Sequence, residues 1–303
     1  MGKLNEQRVE YIVQAILTDY DDNRAINKRD IYNRPDKKAI IEIVEKLMMI
    51  IYPGYYGDKV YRSYSLKNNM SAAIEDVIYH LHKQIMVVLR YTLKTENNSE
   101  VEERAETITY DFMEKIPQIR AFLDTDIQAA FDGDPAAKSK DEVILSYPGI
   151  YAISVYRIAH ELFLLDVPMI PRIMTEHAHS VTGIDIHPGA EIGRFFFTDH
   201  GTGVVIGETT VIGEHVKIYQ GVTLGGLSTK GGQKLKGVKR HPTMMDNVTV
   251  YSNSSILGGE TVIEENVVVG GNAFVTESVA RDLRVTVKAQ ELQVNTNLQN
   301  SNR

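Results

Sequence analysis

Asp185 and His200 are the residues of this sequence best suited to acid–base chemistry, and they lie fifteen positions apart. A carboxylate beside an imidazole fixes the tautomer of the ring and stabilises the imidazolium that forms when the ring accepts a proton. The pair predicts a general-base dyad, and the alternative is that both are ordinary turn residues. Asp199 directly precedes His200 and would place a second carboxylate beside the base.

Basic side chains are concentrated in one long Gly-rich segment, GGLSTKGGQKLKGVKRHPTMMDN. Its basic residues are Lys230, Lys234, Lys236, Lys239, Arg240 and His241. Loops of this length without structure of their own are usually functional or disordered. Cations on such a loop suit a polyanionic ligand, and the alternative is a solvated basic loop.

Cysteine chemistry is excluded because the chain of 303 residues contains no Cys. This rules out disulfides, thiolate catalysis and Cys-based metal sites, but it leaves the redox compartment open. The remaining histidines show no spacing typical of metal ligands, and we interpret His80 and His82 as solvated or packed side chains. The sequence therefore predicts no metal site.

Small aliphatic residues recur at every sixth position between Ile186 and Ala280, a period that fits neither a helix nor an ordinary strand. The series runs through Ile186, Ile192, Thr198 and Val204, then slips by two residues to Ile206, Ile212, Ile218 and Leu224. After an interruption it resumes with Val250, Ile256, Val262, Val268 and Phe274. This period is typical of a triangular parallel β-helix in which one side chain per face points inward and about three hexads close a turn. With about 18 residues per turn, Asp185 and His200 are expected at nearby corners of successive turns.

The sequence before the repeat predicts helices. Asp36 is a suitable cap for a helix that stops near Pro53, and a second apolar stripe begins at Ser71. Ser99 and Glu102 have the spacing of a capping box and predict the start of a third helix.

We therefore predict an α+β chain with an α-helical domain over residues 1–181 and a left-handed β-helix over residues 182–288. A loop is inserted into the β-helix at residues 226–243, and residues 289–303 form a polar tail. Between two helical segments a Gly-Asp-Pro turn displays Asp134.

The net charge of −7 argues against a general nucleic-acid-binding protein. The first twenty residues alternate charged and apolar side chains and lack the apolar core of a signal peptide. No apolar run is long enough to span a bilayer. We expect a cytoplasmic protein that binds neither nucleic acid nor membrane.

The segments DIHPGAEIGRFFFTDHGTGVVIGET, VTLGG and KRHP, with GDP upstream and YRIAHEL between, resemble those of serine O-acetyltransferases. The resemblance covers about residues 120–280. It implies a hexapeptide-repeat enzyme that transfers the acetyl group of acetyl-CoA to the hydroxyl of L-serine, the first step of cysteine biosynthesis from serine. By this resemblance His200 of TDHGTG is the general base for the serine hydroxyl, and Asp185 of DIHP is its partner.

The resemblance also implies how the two charged ends of serine are held. Asp134 of GDP and Asp199 of TDH would bind the ammonium, and Arg240 and His241 of KRHP would bind the carboxylate. The charges agree, since two acids face a cation and a planar guanidinium faces a carboxylate.

The acetyl-CoA site follows from the same resemblance. Gly225 and Gly226 of TLGG, together with Ser252, are the expected backbone contacts of CoA, and the loop lysines are expected near its phosphates. Glycine allows a ligand to approach the backbone closely. Direct transfer to serine requires neither a covalent enzyme intermediate nor a metal.

The chain departs from the family pattern in three places. The inserted loop is longer, RVTVKAQEL replaces the usual Gly-x-Pro-Ala turn, and the last residues, NTNLQNSNR, lack the terminal Ile that docks into the next enzyme of the pathway. We therefore predict no complex with O-acetylserine sulfhydrylase. Cysteine, which differs from serine by one atom, is expected to compete at the serine site as a feedback inhibitor.

A homotrimer is the expected assembly, with active sites in the clefts between subunits, and a hexamer of paired trimers is left open. Two other functions fit the pattern. A sugar O-acetyltransferase would keep the coil and the histidine without the groups for an amino-acid zwitterion. A non-catalytic trimerising rod would need neither.

Overall fold

The computed structural model describes residues 5–22, 24–27, 34–57, 66–93, 98–228 and 230–288, which form a helical region followed by a left-handed parallel β-helix. The helices are α1 (Glu6–Tyr20), α2 (Lys37–Ile51), α3 (Leu66–Leu93), α4 (Asn98–Glu114), α5 (Ile116–Gly133), α6 (Lys140–Ser146), α7 (Pro148–Leu164) and α8 (Ile170–Thr182). None of the helices in these ranges is long and apolar enough to cross a membrane. The predicted tail at 289–303, including the end without Ile, lies outside the described residues.

The β-helix is built from strands of two or three residues separated by polar corners. The strands are β1 (Asp185–Ile186), β2 (Glu191–Ile192), β3 (Phe197–Asp199), β4 (Val205–Ile206), β5 (Val211–Ile212), β6 (Lys217–Tyr219), β7 (Thr223–Gly225), β8 (Thr243–Met244), β9 (Thr249–Val250), β10 (Ser255–Leu257), β11 (Val262–Ile263), β12 (Val268–Val269), β13 (Phe274–Val275) and β14 (Arg284–Val285). A 3₁₀ helix, Gly232–Leu235, lies in the inserted loop.

Each face of the coil is a parallel sheet that takes one strand from each turn. Face 1 has the order β1-β4-β7-β10-β13, face 2 has β11-β8-β5-β2, and face 3 has β14-β12-β9-β6-β3. Stacked turns bury one another's aliphatic side chains, so that the core runs along the axis of the coil. The fold class predicted from the period of six is confirmed.

The predicted inward series is confirmed as far as Ile256, and beyond it the register differs by one residue. Ile263 and Val275 are buried, whereas Phe274 is 72% exposed. The prediction was wrong for Val262, Val268 and Phe274. One additional residue enters at the corner after β10, where Gly258 has a φ of +110° that a residue with a Cβ rarely adopts.

The predicted helix starts hold to different degrees. Asp36 caps α2, and its carboxylate accepts the backbone N–H groups of Lys38 and Ala39. The second helix begins at Leu66 rather than at the predicted Ser71, because polar side chains on an exposed first turn are compatible with a helix. Helix α4 begins at Asn98, one residue before Ser99.

A buried ion pair joins the helices to the coil. Arg157 of α7 donates from Nε and Nη2 to the carboxylate of Asp126 in α5, at 2.7 and 2.9 Å. The same guanidinium donates to the carbonyl oxygens of Ile192 and Gly193. Since Asp126 also accepts the backbone N–H of Phe196, the pair holds α5 and α7 against the first turn of the coil.

Candidate active site

Two residues more than a hexad separate Thr198 from Ile206, and they enlarge the corner that carries His200. We call residues 199–204, between faces 3 and 1, the His200 corner. His200, Gly201 and Gly203 have φ values of +58°, +81° and +81°. The imidazole lies on the outside of the coil with 73% of the side chain exposed. It is therefore accessible to a substrate.

Asp199 lies between two basic side chains. Its Oδ1 is 3.7 Å from Nδ1 of His200, and its Oδ2 is 3.5 Å from Nζ of Lys217. Only 13% of the Asp199 side chain is exposed. Lys217 reaches it from β6, the next turn of the coil.

Asp134 comes to the same corner from the helical region, where it caps the C-terminus of α5. Its carboxylate accepts the hydroxyl of Tyr147 and, at 2.8 Å, the backbone N–H of Ala136. These two hydrogen bonds lower the pKa of Asp134, and the positive charge of Lys217 adds to the effect. The structure thus brings Asp134, Asp199 and His200 together, as predicted for the ammonium end of serine and its base.

Asp185 lies on face 1, in register with Val205 on the following turn. It forms an ion pair with Arg172 of α8, whose Nη2 is 3.8 Å from Oδ1 of Asp185. Among the described residues no hydrogen bond or ion pair joins Asp185 to His200. The carboxylate that contacts the imidazole within one chain is that of Asp199.

Glu176, His179 and Asp185 offer ligand atoms that lie within 4.8 Å of one another and could hold a metal ion. Arg172, however, pairs with both Glu176 and Asp185. Its guanidinium already occupies one side of both carboxylates and offsets part of their charge. The absence of a metal stays a prediction.

Arg240 lies at the next corner along the chain. We call residues 207–210 and 240–242, between faces 1 and 2, the Arg240 corner. The guanidinium pairs with the carboxylate of Glu208 and donates to the carbonyl oxygens of Leu235 and Val238, both at 3.4 Å. Burial alone would raise the pKa of Glu208, but the hydrogen bond from Arg240 and the nearby charges hold it below its usual value. A cavity of about 320 Å³ opens between this pair and the loop.

His241 is fixed by Thr209 of the same corner. Its Nδ1 accepts the Thr209 backbone N–H at 3.0 Å and lies 2.9 Å from the Thr209 hydroxyl. Burial, followed by the charge of Arg240, lowers the pKa of His241 to about 4. The ring is therefore neutral at neutral pH, and with Nδ1 accepting, its proton is on Nε2, where it can donate to a carboxylate.

The residues predicted to contact CoA divide between the two edges of face 1. Ser252 follows β9 and lies between faces 3 and 1, on the edge that carries His200. Gly225 and Gly226 lie at the other edge, and a Cβ on Gly226 would be 3.5 Å from the carbonyl oxygen of Arg240. Of the loop lysines, Lys239 donates to backbone carbonyl oxygens of its own corner.

The two charged groups predicted to bind serine do not meet within one chain. Strand β4 of face 1 separates the His200 corner from the Arg240 corner. One chain therefore presents the residues predicted to bind the serine ammonium and those predicted to bind its carboxylate at opposite edges of one face.

Three neighbours of the site were not predicted from the sequence. Lys217 could have been found by aligning turns, since it stands in register with Phe197, two residues before Asp199. Glu208 could have been found as the corner residue after Ile206. Tyr147 gives no sequence signal, because only the tertiary fold brings its hydroxyl to Asp134.

Comparison with known proteins identifies similar chains. The model of the family "Serine acetyltransferase, N-terminal" matches residues 62–155. The protein "Serine acetyltransferase, plasmid" of Synechococcus elongatus is 40% identical to this chain over 256 residues, which cover 82% of this chain and 80% of that protein.

Solved structures agree with this similarity. The structure of serine acetyltransferase isoform 3 from Entamoeba histolytica in complex with cysteine has a TM-score of 0.72 and 34% identity, covering 97% of this chain and 96% of that one. A serine acetyltransferase in complex with CoA has a TM-score of 0.52 and 25% identity, covering 84% of this chain and 97% of that one.

Proposed function

Since this chain belongs to the serine acetyltransferase family and transfers the acetyl group of acetyl-CoA to the hydroxyl of L-serine, we propose that His200 is the general base of the reaction. The observation that carries this assignment is the exposed His200 imidazole beside Asp199, in a corner that Asp134 of the helical region also reaches. The two other functions raised by the sequence, a sugar acetyltransferase and a non-catalytic rod, have no such support.

In the proposed acetyl transfer, His200 is the only group that accepts and returns a proton. The serine oxygen loses its proton to the imidazole as it forms a bond to the thioester carbonyl carbon. The carbon–sulfur bond breaks, and the imidazolium returns the proton to sulfur, giving O-acetyl-L-serine and CoA. A positioned general base contributes roughly 10²- to 10⁴-fold in rate.

Asp185 and Asp199 are assigned different tasks. Asp199 shares its corner with Asp134, and these two carboxylates would hold the serine ammonium. Asp185 remains the proposed partner that orients the imidazole in the assembled site. Asp185→Asn should lower kcat, whereas Asp199→Asn should mainly raise the KM for serine, and the reverse pattern would exchange the two roles.

The carboxylate of serine would bind at the Arg240 corner. Arg240 offers a guanidinium oriented by Glu208, and His241 offers the N–H of a neutral ring. Because this corner lies across face 1 from His200, the arrangement supports a site between two copies of the chain. A rotation that closes a ring of three would place the His200 corner of each copy against the Arg240 corner of the next.

We propose a homotrimer on this ground, with a hexamer of paired trimers as the alternative that a mass measurement distinguishes. The division of Gly225, Gly226 and Ser252 between the same two edges suits acetyl-CoA lying in the same cleft. A relative has been solved with CoA and another with cysteine, and we propose both as ligands here, with cysteine acting as a feedback inhibitor at the serine site. A cytoplasmic location is proposed because acetyl-CoA carries several phosphate charges and does not cross membranes unaided.

Thiol release from acetyl-CoA in the presence of L-serine tests the assignment of His200. We expect His200→Ala to lower kcat by at least about 100-fold, with an unchanged thermal midpoint. The matched control is His215→Ala, because His215 is also a corner histidine with positive φ, 57°, but its ring stacks on Phe195 at 4.2 Å. Equal losses in the two variants would contradict the proposal.

A further inference from the structure

Lys217 contacts both parts of the molecule that supply the ammonium-binding acids. Its Nζ donates to the carbonyl oxygen of Gly133 at 2.7 Å and lies 3.5 Å from Oδ2 of Asp199. Gly133 immediately precedes Asp134 at the end of α5, whereas Asp199 belongs to the coil. One ammonium thus bridges the helical region and the β-helix beside His200.

The position of this ammonium is well defined. Nζ lies 4.7 Å from the centroid of the Phe197 ring and 4.8 Å from that of Tyr219. Cation–π attraction to two rings, with a hydrogen bond to a carbonyl oxygen, disfavours other rotamers of Lys217. Only 21% of its side chain is exposed. The lysine is therefore a fixed positive charge rather than a mobile surface group.

The Gly133 turn is held against the coil from a second side. A Cβ on Gly133 would lie 2.8 Å from Cδ1 of the Phe197 ring, a distance that real Cβ atoms do not show. The backbone of the turn therefore packs directly on the aromatic ring, and the hydrogen bond from Lys217 secures it there. The separation of Asp134 from Asp199 depends on this contact.

We propose that Lys217 is a positioning residue for the amino-acid substrate: it holds the Asp134 turn and the Asp199 carboxylate at a fixed separation beside His200, so that both acids meet the substrate ammonium. This rests on the proposed function. Two carboxylates and one lysine also leave this group with one net negative charge, which matches a single ammonium.

The test combines two substitutions that attack the contact from opposite sides, Lys217→Met and Gly133→Ala. Each should raise the KM for serine and the dissociation constant of cysteine together, by about tenfold. The kcat and the KM for acetyl-CoA should change by less than about twofold. Lys115→Met, which removes a positive charge at the exposed far end of α5, is the control and should match the wild type.

The outcomes are separable. No turnover of serine by the wild type would defeat the proposed function. Turnover by the wild type with unchanged serine KM and cysteine affinity in Lys217→Met would overturn the role of Lys217 alone. A lowered serine KM in Lys217→Met would also overturn the role, because Lys217 would then compete with the substrate ammonium for the two acids. A lowered thermal midpoint with unchanged kinetics would overturn it as well.

If Lys217→Met does not fold, Lys217→Gln carries the test. The Gln side chain keeps an N–H donor for the carbonyl oxygen of Gly133, but it carries no charge beside Asp199. We expect this variant to lie between the wild type and Gly133→Ala in serine KM. If Lys217→Gln and Gly133→Ala both have the serine KM of the wild type, the inference is refuted.

Discussion

Tyr147→Phe removes one hydrogen bond from the proposed ammonium site and leaves the ring in place. The Tyr147 hydroxyl donates to Oδ2 of Asp134, and it is the largest influence that lowers the pKa of this carboxyl. Without it, Asp134 keeps the bond from the Ala136 backbone N–H but can rotate. The variant should therefore weaken binding of the amino acid without touching the base.

The expected size follows from the setting of the bond. A net hydrogen bond contributes about 0.5–1.5 kcal/mol, and the lower part of this range applies because Asp134 is partly exposed to water. A loss of about 0.5–1 kcal/mol corresponds to a two- to fivefold increase in the serine KM and in the dissociation constant of cysteine. The kcat should change little, because His200 and its neighbours are unaltered.

Initial rates at varied serine, together with calorimetric titration of cysteine, measure these effects. Tyr55→Phe is the matched control, because its hydroxyl donates to Asp141 on the same helical region, away from the site. A fall in kcat with unchanged serine KM would refute the reasoning, and so would an equal effect of the two substitutions.

Two further predictions concern stability. Burial lowers the pKa of His241 to about 4, below the value of about 6.5 in an unfolded chain, so its stabilising contribution is full above pH 6.5 and lost as the pH falls towards 4. Thermal midpoints at pH 7.5 and 5 should differ more for the wild type than for His241→Gln, and equal differences would count against a buried neutral ring. Asp126→Asn leaves the 6%-exposed Arg157 unpaired and should cost about 3–5 kcal/mol, whereas Glu176→Gln, which breaks an exposed pair with Arg172, should cost under about 1 kcal/mol. Denaturant titration compares them, and similar midpoints would show that the buried pair does not hold the helices to the coil.

The β-helix could be predicted from the sequence because its inward-facing positions recur with a period of six. The slip of two residues before Ile206 falls at the His200 corner, although the sequence alone did not show what the slip was for. The period failed after Ile256, where Gly258 accommodates an additional residue at a corner. Corner length depends on local backbone conformation, so a repeat of six cannot predict it.

Only some residues of the candidate site could be predicted from the sequence. Asp134 and Asp199 reach one corner with His200, as expected from the motifs. Lys217 and Tyr147 were missed, because they act through contacts between the helical region and the coil. Aligning the turns would have placed Lys217 near Asp199, but no repeat or motif connects Lys217 with Gly133 or Tyr147 with Asp134.

The spacing assumed between Asp185 and His200 also differs from the observed register, and their pairing stays a prediction. The first turn of the coil is 20 residues long by register, with Ile186 opposite Ile206, rather than the 18 assumed for three hexads. Asp185 therefore stands opposite Val205 and forms an ion pair with Arg172.

The most direct measurement mixes two inactive variants. His200→Ala keeps an intact Arg240 corner, and Arg240→Ala keeps an intact His200 corner. If each site forms between two copies, refolding the variants together in equal amounts should restore about a quarter of the wild-type activity, because a quarter of the interfaces then pair two intact corners. If the mixture stays as inactive as its components, although it forms the same oligomer as the wild type, the two corners do not build one site between subunits.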